Sequence, residues 1–327
     1  MSSSPTGAAS ALSSLRLMAF AAPGLGTGLM GGTAAGILPT IYVSNFGLDL
    51  AFVGMVLLVS RVFDGLSDPL IGYLSDHTNS RFGRRRTWIL AGSLLFALAS
   101  FALLRPPANP GPVYFLAGYI AFYLAGTLIE IPHSAWTAEL SRDPAQRTRI
   151  VTYKQIMASA GAILFAVAPM LTGGAGMTPS VLAQVGIGML FAMPALGLLS
   201  VFSARERATP AGGHRPERPW VLIREVWTNR PFRAFLGIFL VGGLGFGMYG
   251  GLYFLYIQTY LGIGDAISII LILMMSLGFV SLPLWMRIIQ KIGKRRAWAL
   301  GLCLVAVASL LMALIEVPGV VLSITQL

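Results

Sequence analysis

The chain has 327 residues, of which 56% are hydrophobic and only 11% are charged, whereas soluble domains carry roughly 25% charged residues. This composition excludes a soluble domain and predicts a membrane protein with several spanning helices. In a soluble chain, the net charge of +11 would favour a nucleic-acid partner. Here, however, 20 of the 23 Lys and Arg residues lie before the first apolar run or in alternate loops. This distribution predicts a cytoplasmic N-terminus and central loop, and we expect no nucleic-acid partner.

Nine apolar runs are long enough to cross a bilayer, so the sequence predicts an all-α fold with about nine complete helices. Predicted helices 1 to 9 run from Leu17 to Val43, Phe52 to Leu74, Trp88 to Leu104, Val113 to Ala138, Ile150 to Leu171, Ser180 to Phe202, Ala234 to Leu261, Ile267 to Met286 and Ala297 to Ile315. A tenth run, from Val317 to Leu327, is too short to span, so we expect an incomplete chain.

Predicted helix 2 carries two carboxylates deep in its apolar run. Asp64 and Asp68 are four residues apart and Arg61 lies three residues before Asp64, so the three side chains share one helical face. A charge at that depth costs at least ~2.5 kcal/mol and normally faces a cavity or a partner. One interpretation is a cation site with a basic neighbour, in which Asp64 and Asp68 bind Na⁺; the other is an internal ion pair that stabilises the bundle.

The loop after predicted helix 2 combines acid, glycine and arginine residues. Gly72 and Asp76 precede Gly83, Arg84 and Arg85. Such a loop can pair its acid with a basic residue or a helix end across the bundle and form a gating loop. The alternative is that its charges only set topology.

Predicted helix 4 carries a second polar face. Tyr119, Tyr123, Thr127 and Glu130 follow helical spacing along one stripe. If helices 2 and 4 face each other, Thr127 and Glu130 add oxygen ligands to the two aspartates. Glu130 can instead pair with Lys154, which lies about one turn inside predicted helix 5.

The middle of the chain is a linker rich in Pro, Gly and Arg. Its segment from Trp220 to Trp227 has helical apolar spacing and predicts an interfacial helix. After the linker, predicted helix 7 carries a stripe of four tyrosines at helical spacing: Tyr249, Tyr253, Tyr256 and Tyr260. The stripe either lines a pocket or packs between helices.

A long-range repeat divides the chain into two parallel halves. The sequence Phe82-Gly-Arg-Arg-Arg-Thr-Trp88 returns as Ile292-Gly-Lys-Arg-Arg-Ala-Trp298. This organisation is typical of transporters whose halves rock about a central site. We predict an N-terminal six-helix half (1–203), a cytoplasmic linker (204–233) and an incomplete C-terminal half (234–327).

Two motifs resemble those of the glycoside-pentoside-hexuronide:cation symporters of the major facilitator superfamily. They are Arg61-x-x-Asp64-x-x-x-Asp68-Pro69-x-x-Gly72 with the arginine-rich loop, and Glu130-Ile-Pro132 with the stretch from Arg147 to Gln155. The resemblance implies a twelve-helix fold and a cation site at Asp64, Ser67, Asp68, Thr127 and Glu130. The helix 1 acid and the helix 4 tryptophan of the family have no exact counterpart here, although Trp136 lies two residues beyond the tryptophan position.

Together these observations predict a symporter that imports a glycoside-like solute with Na⁺ or H⁺ by alternating access. We expect a monomer in a bacterial inner membrane, and we expect no cofactor other than the coupling ion. The expected substrate-cavity residues are Arg61, Tyr119, Tyr123, Trp136, Lys154, Tyr249, Tyr253 and Tyr256. Alternatives are a carrier of lysolipids or other amphipathic solutes, a truncated chain that does not transport, and a proton-coupled drug exporter. We expect no enzyme, because no Ser/His/Asp or metal-ligand spacing occurs.

Overall fold

The computed structural model describes residues 13–32, 37–141, 143–172, 177–204, 206, 227–256 and 267–313. Within these ranges the chain forms helices and no strand. We label the helices α1 Ser14–Ala21, α2 Pro23–Gly32, α3 Leu38–Phe46, α4 Leu50–His77, α5 Arg84–Leu104, α6 Pro112–Leu140, α7 Pro144–Leu171, α8 Pro179–Ser203, α9 Arg230–Leu255, α10 Ile267–Ile292 and α11 Lys294–Ala313. The all-α prediction is confirmed.

The prediction of one continuous helix 1 is wrong. The first break separates α1 from α2 at Ala22, directly before Pro23, and residues 33–36, between α2 and α3, lie outside the described residues. Proline has no backbone N–H and its ring collides with the carbonyl four residues earlier, so it cannot continue a helix without a kink. The last turn of α1 is of the 3₁₀ type, because the Ala22 N–H donates to the Ala19 carbonyl, three residues earlier, at 3.3 Å.

Five helices, α4 to α8, are long and apolar enough to cross a membrane among the residues described. They match predicted helices 2 to 6, with several ends extended by one turn or more. Helix α4 begins earlier than predicted because the Asp49 side chain accepts a hydrogen bond from the Phe52 N–H at 2.9 Å and caps the helix.

The first half packs around α5, which contacts both α6 and α8, while α4 packs on α6 and α2 packs on α7. The main core lies between these helices and includes the fully buried Tyr42, Phe115 and Tyr119. Tyr42 also donates a hydrogen bond from its hydroxyl to the Leu103 carbonyl at 2.9 Å, which joins α3 to the end of α5. Because α4 and α6 are neighbours, the polar faces predicted on these two helices meet.

The second half contributes α9, α10 and α11, of which α10 packs on α7 and α11. A glycine turn at Gly293 joins α10 to α11, with the backbone in the left-handed region (φ 81°). The predicted interfacial helix lies, apart from Trp227, outside the described residues, and so do Tyr260 and the short tenth run.

Candidate cation site and substrate cavity

The two aspartates of α4 lie beside Thr127 of α6. The Thr127 hydroxyl donates a hydrogen bond to Asp68 Oδ1 at 3.0 Å, which joins the two helices at the depth of the carboxylates. One turn earlier, Asp64 Oδ2 lies 3.7 Å from Arg61 Nη1. The Ser67 hydroxyl donates to the Asp64 backbone carbonyl at 3.3 Å. The structure therefore brings Asp68 and Thr127 together, and the predicted contact between helices 2 and 4 is confirmed.

Arg61 is the basic member of this group. Its guanidinium carbon lies 5.1 Å from the centre of the Tyr123 ring, within the range of a cation–π interaction, and the Tyr123 ring lies 5.8 Å from that of Tyr119. When both aspartates are ionised, Arg61 offsets only one of them. The group then carries one excess negative charge and favours a bound cation or proton.

Glu130 takes part in a different contact. Its Oε1 lies 3.1 Å from Lys154 Nζ of α7 and accepts a hydrogen bond from the Ser134 hydroxyl at 3.3 Å. Lys154 Nζ also lies 3.3 Å from the Ser134 hydroxyl. Glu130 thus pairs with Lys154, which was the alternative partner that the sequence left open. Its membership of the cation site stays a prediction.

A cavity of about 270 Å³ opens at this ion pair, between α2, α6 and α7. Its lining combines one carboxylate, one ammonium group, hydroxyls and an amide: Gly24, Thr27, Glu130, Ser134, Thr137, Val151, Lys154, Gln155 and Ala158. Hydrogen-bond donors and acceptors in a concave site bind and orient a polar solute. Sequence reasoning assigned Lys154 to a cavity but did not include Thr27, Ser134 or Gln155, which lie on three different helices.

Other residues predicted to line the cavity lie in packed regions. Tyr119 is fully buried in the main core against Phe115, with ring centres 4.7 Å apart. Trp136 is 1% exposed and packs edge-on against Phe20, 5.1 Å away, in a second core cluster. In this conformation, therefore, neither Tyr119 nor Trp136 faces the cavity, because both rings fill helix–helix contacts.

The tyrosine stripe of the second half is described in part. Tyr253 packs at the edge of the main core and donates from its hydroxyl to Met274 Sδ at 3.4 Å. Tyr256 is half-buried, and the side chain of Tyr249 lies outside the described residues. The assignment of these tyrosines to a substrate cavity stays a prediction.

The predicted gating loop forms a network of ion pairs. Arg85 is almost fully buried and donates to Asp76, to the Ser75 hydroxyl at 2.7 Å and to Glu139 Oε1 at 2.9 Å. Arg84 Nη2 lies 2.7 Å from the same Glu139 oxygen. We call these residues, together with Glu206, the brace. Gly72, on α4, lies near this end of the helix and faces Ile131 of α6.

Glu206 completes the brace at the beginning of α5. Its Oε1 accepts a hydrogen bond from the Arg85 backbone N–H at 2.8 Å, where the helix dipole favours negative charge. Gly83 precedes the helix with φ at 113°, and a side chain there would collide with the Glu206 carboxylate. Sequence reasoning missed Glu139 and Glu206, although three consecutive arginines beside one acid already indicate a need for further carboxylates.

No three Asp, Glu, His or Cys side chains converge as a metal-binding cluster in the part of the chain that the structure describes. The oxygen atoms around Asp64 and Asp68 come from two carboxylates, a threonine and a serine. Hydroxyl and carboxylate oxygens suit a small hard cation such as Na⁺ and equally allow a proton to be shared.

The chain matches a family model described as MFS/sugar transport protein over residues 19–326. The inner membrane symporter YicJ of Escherichia coli (strain K12) is 29% identical over 229 residues, which are 68% of this chain and 49% of that protein. The isoprimeverose transporter of Lactiplantibacillus pentosus is 26% identical over 172 residues, 51% of this chain and 36% of that protein. The sodium-dependent lysophosphatidylcholine symporter 1 of Gallus gallus is 24% identical over 317 residues, 83% of this chain and 59% of that protein. Each match spans less than two thirds of the relative.

Proposed function

The chain belongs to the MFS/sugar transport family, among the glycoside–cation symporters of the major facilitator superfamily, and on that premise we propose that it moves a glycoside-like solute together with Na⁺ or H⁺. Alternating access, with the two halves rocking about a central site, is the expected mechanism. Import through a bacterial inner membrane, with the N-terminus and central loop in the cytoplasm, is the expected direction and orientation.

The observation that carries this proposal is the pairing of Asp68 with Thr127. Two carboxylates of α4, a hydroxyl of α6 and one guanidinium leave a single excess negative charge within a spanning helix. A bound cation removes that charge, and binding energy that differs between two conformations shifts the population between them. Cation binding at this group therefore couples directly to the packing of α4 against α6.

The test is cation-driven uptake in membrane vesicles from cells that express the gene. Asp68→Asn should abolish accumulation under an imposed Na⁺ or H⁺ gradient while the protein still inserts, since a neutral amide removes the charge of the partly buried Asp68 and creates none. Asp143→Asn, in the exposed segment between α6 and α7, is the matched control and should leave accumulation unchanged. Normal accumulation by the Asp68 variant would contradict the proposal.

We favour Na⁺ as the coupling ion because the group offers several hard oxygen ligands, and because one relative is named as sodium-dependent. Binding to the purified protein is followed by tryptophan fluorescence at fixed pH. Saturable Na⁺ binding that weakens as pH falls is expected of a site that Na⁺ and H⁺ share. Indifference to Na⁺, with uptake that follows a pH gradient alone, would leave the proton as the sole coupling ion.

The solute site that we propose is the cavity at Glu130 and Lys154. Its mixed hydroxyl, amide and ionic lining fits a solute rich in hydroxyl groups, which can both donate to the carboxylate and accept from the ammonium. Lys154→Gln should raise the solute concentration needed for half-maximal uptake without abolishing Na⁺ binding. An unchanged solute dependence in this variant would place the solute elsewhere.

A second candidate function, lysolipid transport, is favoured by the same ion pair. Glu130 and Lys154 lie 3.1 Å apart, so a zwitterionic headgroup can exchange partners with them, its phosphate with the ammonium and its amine with the carboxylate. Competition of labelled glycoside uptake by a panel of glycosides and lysophospholipids separates the two functions. Inhibition by lysophosphatidylcholine alone would favour the second, and inhibition by a drug panel alone would favour export.

A further inference from the structure

The glycine turn between α10 and α11 presents four exposed basic side chains. Arg287 and Lys291 lie in the last turns of α10, one helical turn apart, and Arg295 and Arg296 lie in the first turn of α11. Gly293 makes this sharp reversal possible, and its N–H donates to the Ile289 carbonyl at 2.9 Å. We call Arg287, Lys291, Arg295 and Arg296 the α10–α11 basic patch.

The same sequence in the first half has its charges neutralised. The side chains of Arg84 and Arg85, at the positions that correspond to Lys294 and Arg295, pair with the carboxylates of Asp76 and Glu139, and a third carboxylate, Glu206, accepts from the Arg85 backbone N–H. In the second half, by contrast, residues 227–256 and 267–313 contain no Asp or Glu at all. The two copies thus share a turn and a cluster of cations, but only the first copy has acidic partners among the residues described.

An exposed tryptophan lies close to the basic patch along α11. Trp298 is 58% exposed and lies two residues after Arg296, and Trp285 lies on α10 close to Gly301 of α11. Exposed tryptophan beside the end of a spanning helix is typical of the interface between hydrocarbon and headgroups. An arginine at that interface can donate two parallel hydrogen bonds to a lipid phosphate.

Because no described carboxylate offsets these four exposed charges and an exposed tryptophan lies beside them, we propose that the α10–α11 basic patch binds the phosphate groups of anionic phospholipids. The lipid then supplies the negative charge that three carboxylates supply in the first half. A surface lipid of this kind holds the turn between α10 and α11 against the bilayer while the brace holds the corresponding turn of the first half against its own helices.

The experiment is native mass spectrometry of the purified chain in detergent, titrated with phosphatidylglycerol and with phosphatidylethanolamine. The wild-type chain should retain phosphatidylglycerol preferentially, and the double variant Arg295→Gln/Arg296→Gln should bind it roughly tenfold more weakly, since each cation contributes several-fold near an anionic surface. Arg16→Gln/Arg81→Gln removes two exposed arginines elsewhere and should keep the preference. The charge-conserving variant Arg295→Lys/Arg296→Lys should also keep it, which separates loss of charge from misfolding.

Four results would overturn the proposal. The first is equal binding of the two lipids by the wild-type chain, and the second is an equal loss in the test and control variants. The third is complete competition by millimolar glycerol 1-phosphate, which would show a site for soluble phosphate in place of a lipid site. Phosphatidylglycerol binding that survives in Arg295→Gln/Arg296→Gln would likewise place the lipid elsewhere, as expected if an acidic segment of this chain covers the patch.

Discussion

Replacing Glu139 by Gln tests the brace most directly. A single oxygen of Glu139 accepts hydrogen bonds from Arg84 at 2.7 Å and from Arg85 at 2.9 Å, and the Arg85 side chain is only 4% exposed. The variant keeps the size of the side chain but removes the negative charge, so two guanidinium groups exchange a shared charged acceptor for a weaker neutral one. Asp76→Asn is the comparison, because among the described contacts the Asp76 carboxylate pairs only with Arg85, and its side chain is 53% exposed.

The magnitude follows from the number of contacts and their exposure. A hydrogen bond to a charged group contributes about 1.5–3 kcal/mol when buried, and exposure reduces it. Glu139 is 30% exposed and accepts two such bonds, so Glu139→Gln should lower the free energy of unfolding by about 2–3 kcal/mol. Asp76→Asn, at a half-exposed site with one partner, should lower it by about 1 kcal/mol.

The assay is the apparent melting temperature of the purified chain in detergent, followed by intrinsic fluorescence. At roughly 2–4 °C per kcal/mol, Glu139→Gln should lower it by about 4–12 °C and Asp76→Asn by about 2–4 °C. In the double-mutant cycle, Arg84→Gln combined with Glu139→Gln should be less destabilising than the sum of the two. If Asp76→Asn is as destabilising as Glu139→Gln, then Asp76 is the main partner of Arg85 and our ranking is refuted.

Three further substitutions test the packing and the site. Gly161→Ala drives a methyl group into the Leu25 backbone carbonyl of α2 and should destabilise by about 3 kcal/mol, whereas Gly188→Ala, which meets nothing within 4 Å, should not lower the melting temperature. Tyr42→Phe loses the 2.9 Å hydrogen bond to a carbonyl of α5 and should cost about 1 kcal/mol in the same melting assay, with a larger loss pointing to rearrangement. Thr127→Val should weaken Na⁺ binding about tenfold in a fluorescence titration, whereas Thr127→Ser should leave it unchanged. Equal Na⁺ affinities of the Thr127→Val variant and the wild-type chain would show that this hydroxyl does not bind the cation.

The helices were predictable because a helix that crosses lipid must satisfy its backbone hydrogen bonds internally and must be apolar over its length. Helices α4 to α8 accordingly fall where the apolar runs lie. The structure of predicted helix 1 did not follow from this rule. Its sequence stays apolar through Pro23 and the glycines that follow, but the helix is interrupted directly before Pro23.

Contacts around the candidate site were predictable within one helix and much less so between helices. Spacing placed Asp64 and Asp68 on one face, and the polar stripe of the neighbouring helix contained Thr127, which contacts Asp68. Glu139 and Glu206 escaped notice because each lies in a segment of ordinary composition, and their partners are 54 and 121 residues away along the chain. Such contacts follow from how the helices pack, which periodicity in a single segment does not contain.

The position of the brace bears on the alternating-access mechanism that we propose, in which two halves rock against each other. Its described contacts join α4, α5, α6 and the residue Glu206 just after α8, all within the first half or at its border. A network inside one half does not have to break when the two halves rock against each other; it makes that half move as one body. Glu139→Gln should therefore lower stability, and should reduce transport only to the extent that the first half unfolds. If the brace were instead a gate between the halves, the same substitution would abolish transport at unchanged stability. Measuring melting temperature and uptake on the same variant separates these two roles.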